Sequence, residues 1–321
     1  APDAQWISVK IFNDSGLASL SAVHEGFQWL LDPDGDPTTD DAPDVVNNSW
    51  GIAGSVGTCD NEFKNDVEML KSAEIAVVFS AGNSGPAAAT SLSPANYVDT
   101  VAVGAVDQYS NVAYFSSRGP SACEDNLFPD VVAPGVNIKT SSRTYGGAIP
   151  NSYAYVSGTS FSAPHVAATM ALIKSALPSV TVNELTTVVR SSAVDIFPTG
   201  PDTEAGYGLL DAQAAYFQLP IDTDGDGVYD GQDNCILMRN INQNDSDGDG
   251  YGNFCDADLN GDEVIDFVDY AIFGSHYNTT RADPAYNPAA DFDSNGSINF
   301  LDYSIFGSMY MKVPGPSARV P

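Results

Sequence analysis

The sequence predicts an α/β protein: a three-layer domain built on a parallel sheet, followed by a small acidic region. Two observations predict the first part and one the second. Over residues 1–219, short apolar β-branched runs alternate with amphipathic stretches, the pattern of strands joined by crossover helices. Polar, Gly-rich motifs stand where those strands end, and parallel sheets form their sites at the carboxyl ends of strands. After residue 220 the composition changes, and Asp, Asn and Gly recur at fixed intervals.

The elements follow in order. Trp6 to Phe12 reads as a strand, and Leu20, Val23, Phe27, Leu30 and Leu31 recur at helical spacing. Asp44 to Ser49 reads as a strand and Phe63 to Ala73 as a helix. Ile75 to Ser80 and Thr100 to Val106 are apolar runs of strand length. Ser160 to Leu177 and Val182 to Ser192 read as helices. In the acidic region, Phe267, Tyr270, Ile272 and Phe273 fit a short apolar helix, and 312–321 reads as a disordered tail.

Charge narrows the function classes. The 321 residues hold 42 acidic and 12 basic side chains, a net −30. Nucleic acid and anionic membrane surfaces are disfavoured partners, because both repel such a chain. No run of about 18 apolar residues is present to span a bilayer. Residues 221–321 carry 18 of the acidic and 4 of the basic residues, so the charge is denser there and marks a domain boundary near Pro220.

Three strand-end motifs carry the chemistry. Val45–Gly51 reads VVNNSWG, Phe79–Pro86 reads FSAGNSGP, and Ser157–Val166 reads SGTSFSAPHV. In the last, Gly158 permits a tight approach, Thr159 is placed to cap the helix, and Ser160 lies at its positive end. A Ser there can act as a nucleophile if a base takes its proton. Together, these motifs resemble the subtilisin-like serine peptidases (subtilases), with wording similar to the bacillopeptidase F-like branch. The resemblance implies Ser160 as nucleophile and Asn83 as oxyanion donor. It also implies Ser49, Trp50, Gly51, Ala81 and Gly82 as the substrate-binding strip. Leu92 and the Ala81–Gly82 stretch are candidates for the wall of the primary pocket.

The same resemblance places residue 1 after the family's Asp and His segments, and no HGTH-type motif is present. The domain therefore reads as the C-terminal two-thirds of a subtilisin-like fold, incomplete at its N-terminus. His24 reads as a boundary residue of an amphipathic helix. His165 lies five residues after Ser160, about 140° round the same helix, and His276 lies in the acidic region. The chain as given is expected to be inactive, with a secreted serine endopeptidase as the complete form. The alternative is a catalytically dead, calcium-dependent binding or adhesion module on the same scaffold. The acidic DPDGDP loop, with Asp32, Asp34 and Asp36, reads as a solvated turn rather than a metal site.

The acidic region contains four twelve-residue windows with oxygen ligands at positions 1, 3, 5, 9 and 12. They are Asp222, Asp224, Asp226, Asp230 and Asp233; Asp245, Asp247, Asp249, Asn253 and Asp256; Asp258, Asn260, Asp262, Asp266 and Asp269; and Asp291, Asp293, Asn295, Asn299 and Asp302. Calcium takes six to eight hard oxygen ligands, and such a loop wraps them round one ion. Position 6 asks for Gly and finds Gly227, Gly250 and Gly296, but Glu263 in the third window, which is expected to be weaker or distorted. Seventeen of the region's 18 acidic residues fall inside the windows, which argues for ligand chemistry over a generic acidic tail.

FVDYAIFGSHY (267–277) repeats as FLDYSIFGSMY (300–310). The last two windows resemble a dockerin type I duplication (258–311), with EF-hand-like loops, and the first two resemble thrombospondin type 3 repeats (220–257). The second resemblance implies a Cys235–Cys255 disulfide, and Cys59–Cys123 follows by elimination. A cohesin-like module is the partner implied for the dockerin-like pair, with self-packing as the competing reading. Disulfides, calcium loops and the peptidase resemblance point to an extracellular, secreted protein, with the cell surface as a further option.

Overall fold

The computed structural model describes residues 4–124, 126–142, 153–196 and 198–320, so Pro321 of the expected tail lies outside the described residues. The chain divides into two compact units, 1–216 and 217–321.

The first unit carries a four-stranded sheet of β1 (Val45–Asn48), β2 (Ala76–Ser80), β3 (Val101–Val106) and β4 (Val131–Pro134), in that spatial order and wholly parallel. Helix α1 (Leu20–Trp29) and helix α2 (Lys64–Ser72) cover one face: Val23, Phe27, Val67 and Leu70 join Ile75, Val77 and Phe79 in one buried cluster. Alternate strand residues point to opposite faces, and helix α3 (Thr159–Ala176) packs across all four strands on the other. The three layers are thus helix pair, sheet and α3. Helix α4 (Val182–Ser191) starts in a capping box, with Thr181 and Glu184 each satisfying the other's backbone N–H. A two-stranded antiparallel sheet of β5 (Ile138–Ser141) and β6 (Tyr153–Val156) lies apart from the main one, and α5 spans Ala212–Phe217.

Asp130 ties sheet to helix. It is only 4% exposed; its Oδ2 accepts from Ala102 N at 2.7 Å and its Oδ1 from Arg190 Nε at 2.8 Å. Burial raises its pKa, and the Arg190 guanidinium opposes that rise. The Cys59–Cys123 disulfide is formed in this unit and Cys235–Cys255 in the other.

Trp6 to Phe12 is not a strand. Its alternation is real, but no neighbouring strand exchanges ladder hydrogen bonds with it among the described residues, and Trp6 is 83% exposed. Ile11 and Val9 instead rest on α1, where a Cβ on Gly26 would meet them at 2.9 and 3.3 Å.

In the second unit, the repeats give α6 (Phe267–His276) and α7 (Phe300–Met309), with a short 3-10 helix at Pro288–Ala290. Asp266 and Asn299 are their N-caps, each in a capping box closed by Asp269 or Asp302. The duplicated positions Ile265 and Ile298, and Phe273 and Phe306, meet in one core, with the two Phe rings 5.5 Å apart. Of the four residues expected to form the apolar helix face, Phe273 is buried while Phe267 and Tyr270 are exposed.

Over 312–320, the described part of the expected disordered tail, the chain is held in place. Gly315 N donates to Cys255 O, Ala318 N to Asp233 O, and Pro316 O accepts from Ile236 N, all within 3.0 Å. Its Pro, Gly and Ser composition lacks a core of its own, so these backbone bonds to the first two loops supply its order. No described helix is long and apolar enough to cross a membrane.

Candidate active site and metal-binding loops

The carboxyl ends of β1 and β2 and the start of α3 converge. Beyond β1, Trp50 turns inward: its Nε1 donates to Asn48 Oδ1 at 3.1 Å, and its ring meets Phe79 and Phe63 edge-on at 5.3 and 5.7 Å. The Trp50 side chain is thus committed to the core. Beyond β2, Gly82 takes φ +104, a conformation that favours glycine, and its N–H donates to Thr159 Oγ1 at 3.2 Å.

Asn83 Oδ1 accepts two bonds from Thr159, from N at 2.9 Å and from Oγ1 at 3.0 Å. This fixes the amide plane, and a Cβ on Gly158 would lie 3.6 Å from Asn83 Nδ2 and 3.8 Å from its Oδ1. The helix N-cap is Gly158, at φ +153, rather than Thr159. Thr159 is the first helical residue, and its hydroxyl is spent on holding the two loops together.

Ser160 follows, in the first turn of an 18-residue helix whose positive end favours developing negative charge. Ser160 Oγ donates to Ser49 O at 3.5 Å, and Ser49 Oγ donates to Ser160 O at 2.9 Å. Two residues on, Ser162 is fully buried and its Oγ has no hydrogen-bond partner. It is packed against Gly135, where any Cβ would collide with it.

None of the three histidines serves Ser160. His24 bridges α1 to α2, with Nδ1 2.8 Å from Asp66 and Nε2 3.2 Å from Glu62. His165 Nδ1 bonds Phe161 O on its own helix at 2.8 Å, and His276 Nδ1 bonds Ala285 O at 2.6 Å in the other unit.

The acidic loops share one backbone design. The first residue of each window accepts N–H bonds from within its loop: Asp222 from Gly225 and Gly227, Asp245 from Gly248 and Gly250, Asp258 from Gly261 and Glu263, Asp291 from Asn295 and Gly296. Three loops gather carboxylate oxygens within 4.8 Å of one another: Asp222, Asp224 and Asp226; Asp245, Asp247 and Asp249; Asp291, Asp293 and Asp302. Asp224 Oδ2 is buried without a partner. Such converging hard oxygens fit a calcium ion.

Burial pushes Asp256 up to about 8, with Asp249, Asp247 and Asp258 adding repulsion. The ninth positions are otherwise engaged: Asp230 and Asn253 bond back to Thr223 and Ser246, while Asp266 and Asn299 cap helices. Asp233 accepts from Cys235 N and Gln243 Nε2. The third window does not gather three carboxylates among the described residues, and Glu263 there takes φ +66. In the DPDGDP loop, Asp32 and Asp34 group with Asp41, while Asp36 turns to Thr38.

Two features of the site were not anticipated: the Ser49 side chain as a donor, and Pro164 as the reason its acceptor is free. Only the Pro four residues after Ser160 signals the second.

A model of the subtilase family matches residues 1–208, and one of the dockerin type I domain matches 256–307. Bacillopeptidase F of Bacillus subtilis (strain 168) is 38% identical over 247 residues, 72% of this chain but 16% of that protein. Subtilisin DY of Bacillus licheniformis is 33% identical over 217 residues, covering 67% of this chain and 69% of its own length. An alkaline protease of Alkalihalobacillus alcalophilus is 34% identical over 216 residues, and the match spans 49% of it.

Proposed function

Because the chain belongs to the subtilase family, we propose that it is the nucleophile-bearing part of a secreted serine endopeptidase, joined to a calcium-binding, dockerin-containing region. The observation that supports this is the lock between Asn83 and Thr159, which fixes the Asn83 amide against the residue that precedes Ser160. In this reading the base and its orienting carboxylate come from polypeptide beyond this chain, since all three histidines here are held elsewhere.

The chemistry is acyl transfer. The base takes the Ser160 proton as Oγ bonds to the scissile carbonyl carbon. The carbonyl oxygen becomes an oxyanion between Asn83 Nδ2 and the Ser160 N–H. The C–N bond then breaks, the base returns the proton to the leaving amine, and water hydrolyses the ester. The extended substrate pairs with the Ser49–Gly51 backbone as an added strand.

Calcium would be held by the groups around Asp222, Asp245 and Asp291, where it neutralises carboxylates that otherwise repel. The exposed Phe267, Val268, Tyr270 and their repeats Phe300, Leu301, Tyr303 are the surface offered to a cohesin-like module.

A second reading, a dead scaffold used for calcium-dependent binding, draws on the absence of a histidine at Ser160. The test is labelling and hydrolysis by the full-length polypeptide that contains this chain. A fluorophosphonate should modify it and peptides should be cleaved, with both lost in Ser160→Ala. Asn83→Ala should lower kcat by about two to three orders of magnitude, the loss known for removing one such donor in subtilisin itself. A full-length protein that neither labels nor cleaves is the dead scaffold.

A further inference from the structure

Asn83 and Ser84 are exposed, so packing alone does not hold the turn that carries the proposed oxyanion donor. Hydrogen bonds to residues 115–117 hold it instead. Gly85 N donates to Phe115 O and Ser117 N donates to Gly82 O, both at 2.9 Å. Ser84 N donates to Ser117 Oγ at 3.1 Å. Ser117 thus grips the residue before Asn83 through its N–H and the residue after it through its hydroxyl. Its own place is fixed: Ser116 and Ser117 are completely buried, and Ser116 Oγ accepts from Ala105 N of β3 at 3.0 Å. Glycine is what lets the two segments lie this close. A Cβ on Gly82 would come within 2.8 Å of Ser117 Oγ, and one on Gly85 would collide with Ser116 O.

We propose that Ser117 is a positioning residue for catalysis, its hydroxyl setting where the Asn83 amide stands when negative charge develops on the substrate carbonyl. The inference rests on the peptidase reading of Ser160 and Asn83. Thr159 holds the oxygen of the Asn83 amide, and Ser117 holds the backbone from which that side chain extends. An oxyanion donor is effective because it is in place before the charge forms and needs no reorganisation at the moment of reaction, so both restraints bear on the rate. Ser117→Ala takes away the bond to Ser84 and keeps the bond from its own N–H to Gly82 O. The turn then stays formed, while its side after Asn83 is released. A displacement of about 1 Å in a reacting group can cost about 100-fold in rate. The loss is bounded by that of deleting the donor outright, about 10²- to 10³-fold.

The test uses the full-length polypeptide and one peptide substrate that it cleaves. Ser117→Ala should lower kcat by about tenfold, part of the loss known for deleting such a donor, with KM little changed. In an Asn83→Ala background the same change should move kcat by less than about twofold, because the group it positions is gone. A general loosening of the domain would instead act in both backgrounds. Ser117→Cys, which keeps the side chain's shape and offers a weaker acceptor, should lower kcat by less, and carries the test if the Ala variant fails to fold. Unchanged kcat in a Ser117 variant that melts like wild type, a rise in KM alone, or an equal loss with and without Asn83 overturns the assignment and leaves the peptidase reading standing. No cleavage of any peptide by wild type, with no Ser160-dependent labelling, overturns both.

Discussion

Ser49 Oγ donates to the main-chain carbonyl of Ser160 at 2.9 Å, an acceptor that α3 cannot use itself because Pro164, four residues on, has no N–H. The proline that interrupts the helix ladder thus leaves the acceptor for the bond that joins the segment after β1 to the Ser160 backbone. Removing the donor should cost about 1 kcal/mol. If Pro164 is the cause, the loss should shrink when Ala at 164 restores a helical N–H. A double-mutant cycle of Ser49→Ala and Pro164→Ala, read by urea unfolding, should give a coupling of about 0.5–1 kcal/mol. Strict additivity would mean that Ser49 and Pro164 act independently.

The Asp130–Arg190 pair is a stability element away from the site. Arg190→Met leaves a buried carboxyl that still accepts from Ala102 N but has lost its cation. The expected loss is about 3 kcal/mol, at the low end for broken buried pairs because Arg190 is partly exposed. Burial already raises the Asp130 pKa, and losing Arg190 raises it further. The folded state then takes up a proton more readily than the unfolded chain, so the deficit should be largest near neutral pH and smaller in mild acid. Equal urea midpoints for wild type and variant at pH 7 would refute this.

How much of this was legible in the sequence depended on whether the cause was local. Asn83 and Ser160 lie in contiguous motifs whose chemistry is written in adjacent residues. The acidic windows likewise carry their own spacing. Trp6 to Phe12 had the alternation of a strand, but a strand also needs a neighbour, and alternation says nothing about one. The residue run 314–320 had the composition of a tail, yet its order comes from backbone bonds to residues about 60 to 85 positions away. The β5–β6 hairpin went unread because Tyr153 and Tyr155 are exposed aromatics rather than a buried run.

His24 gives the first unit a pH dependence. Its ring lies between Glu62 and Asp66, and the hydrogen bond to Glu62 is the main reason its pKa is raised. Asp66 helps, and burial opposes. A raised histidine favours the charged ring in the folded state. Its contribution is therefore complete below the unfolded value of about 6.5 and fades as pH climbs through the higher folded value. His24→Gln should flatten the fall in stability from roughly pH 6 to 8. Urea midpoints at the two pH values check it: the same difference in variant and wild type would exclude His24 as the source.

The third acidic loop differs from the others at one backbone position. Gly227, Gly250 and Gly296 take φ +97, +102 and +92, and Glu263 is held at φ +66 in their place. A side chain there costs about 1 kcal/mol, and this is the loop that does not bring three carboxylates together. Glu263→Gly should raise the metal-free melting temperature by a few degrees, since about 1 kcal/mol shifts a domain of this size by roughly 4 °C or more. Calorimetric titration of the chain with calcium should show several binding events, and chelation should lower the melting temperature. Asp224→Asn should remove one event, because it alters a group whose buried Oδ2 has no other partner. A titration with no heat and no thermal shift would reject calcium at all the loops. If Glu263→Gly melts no higher than wild type, strain at position 6 does not explain why the third loop stays apart.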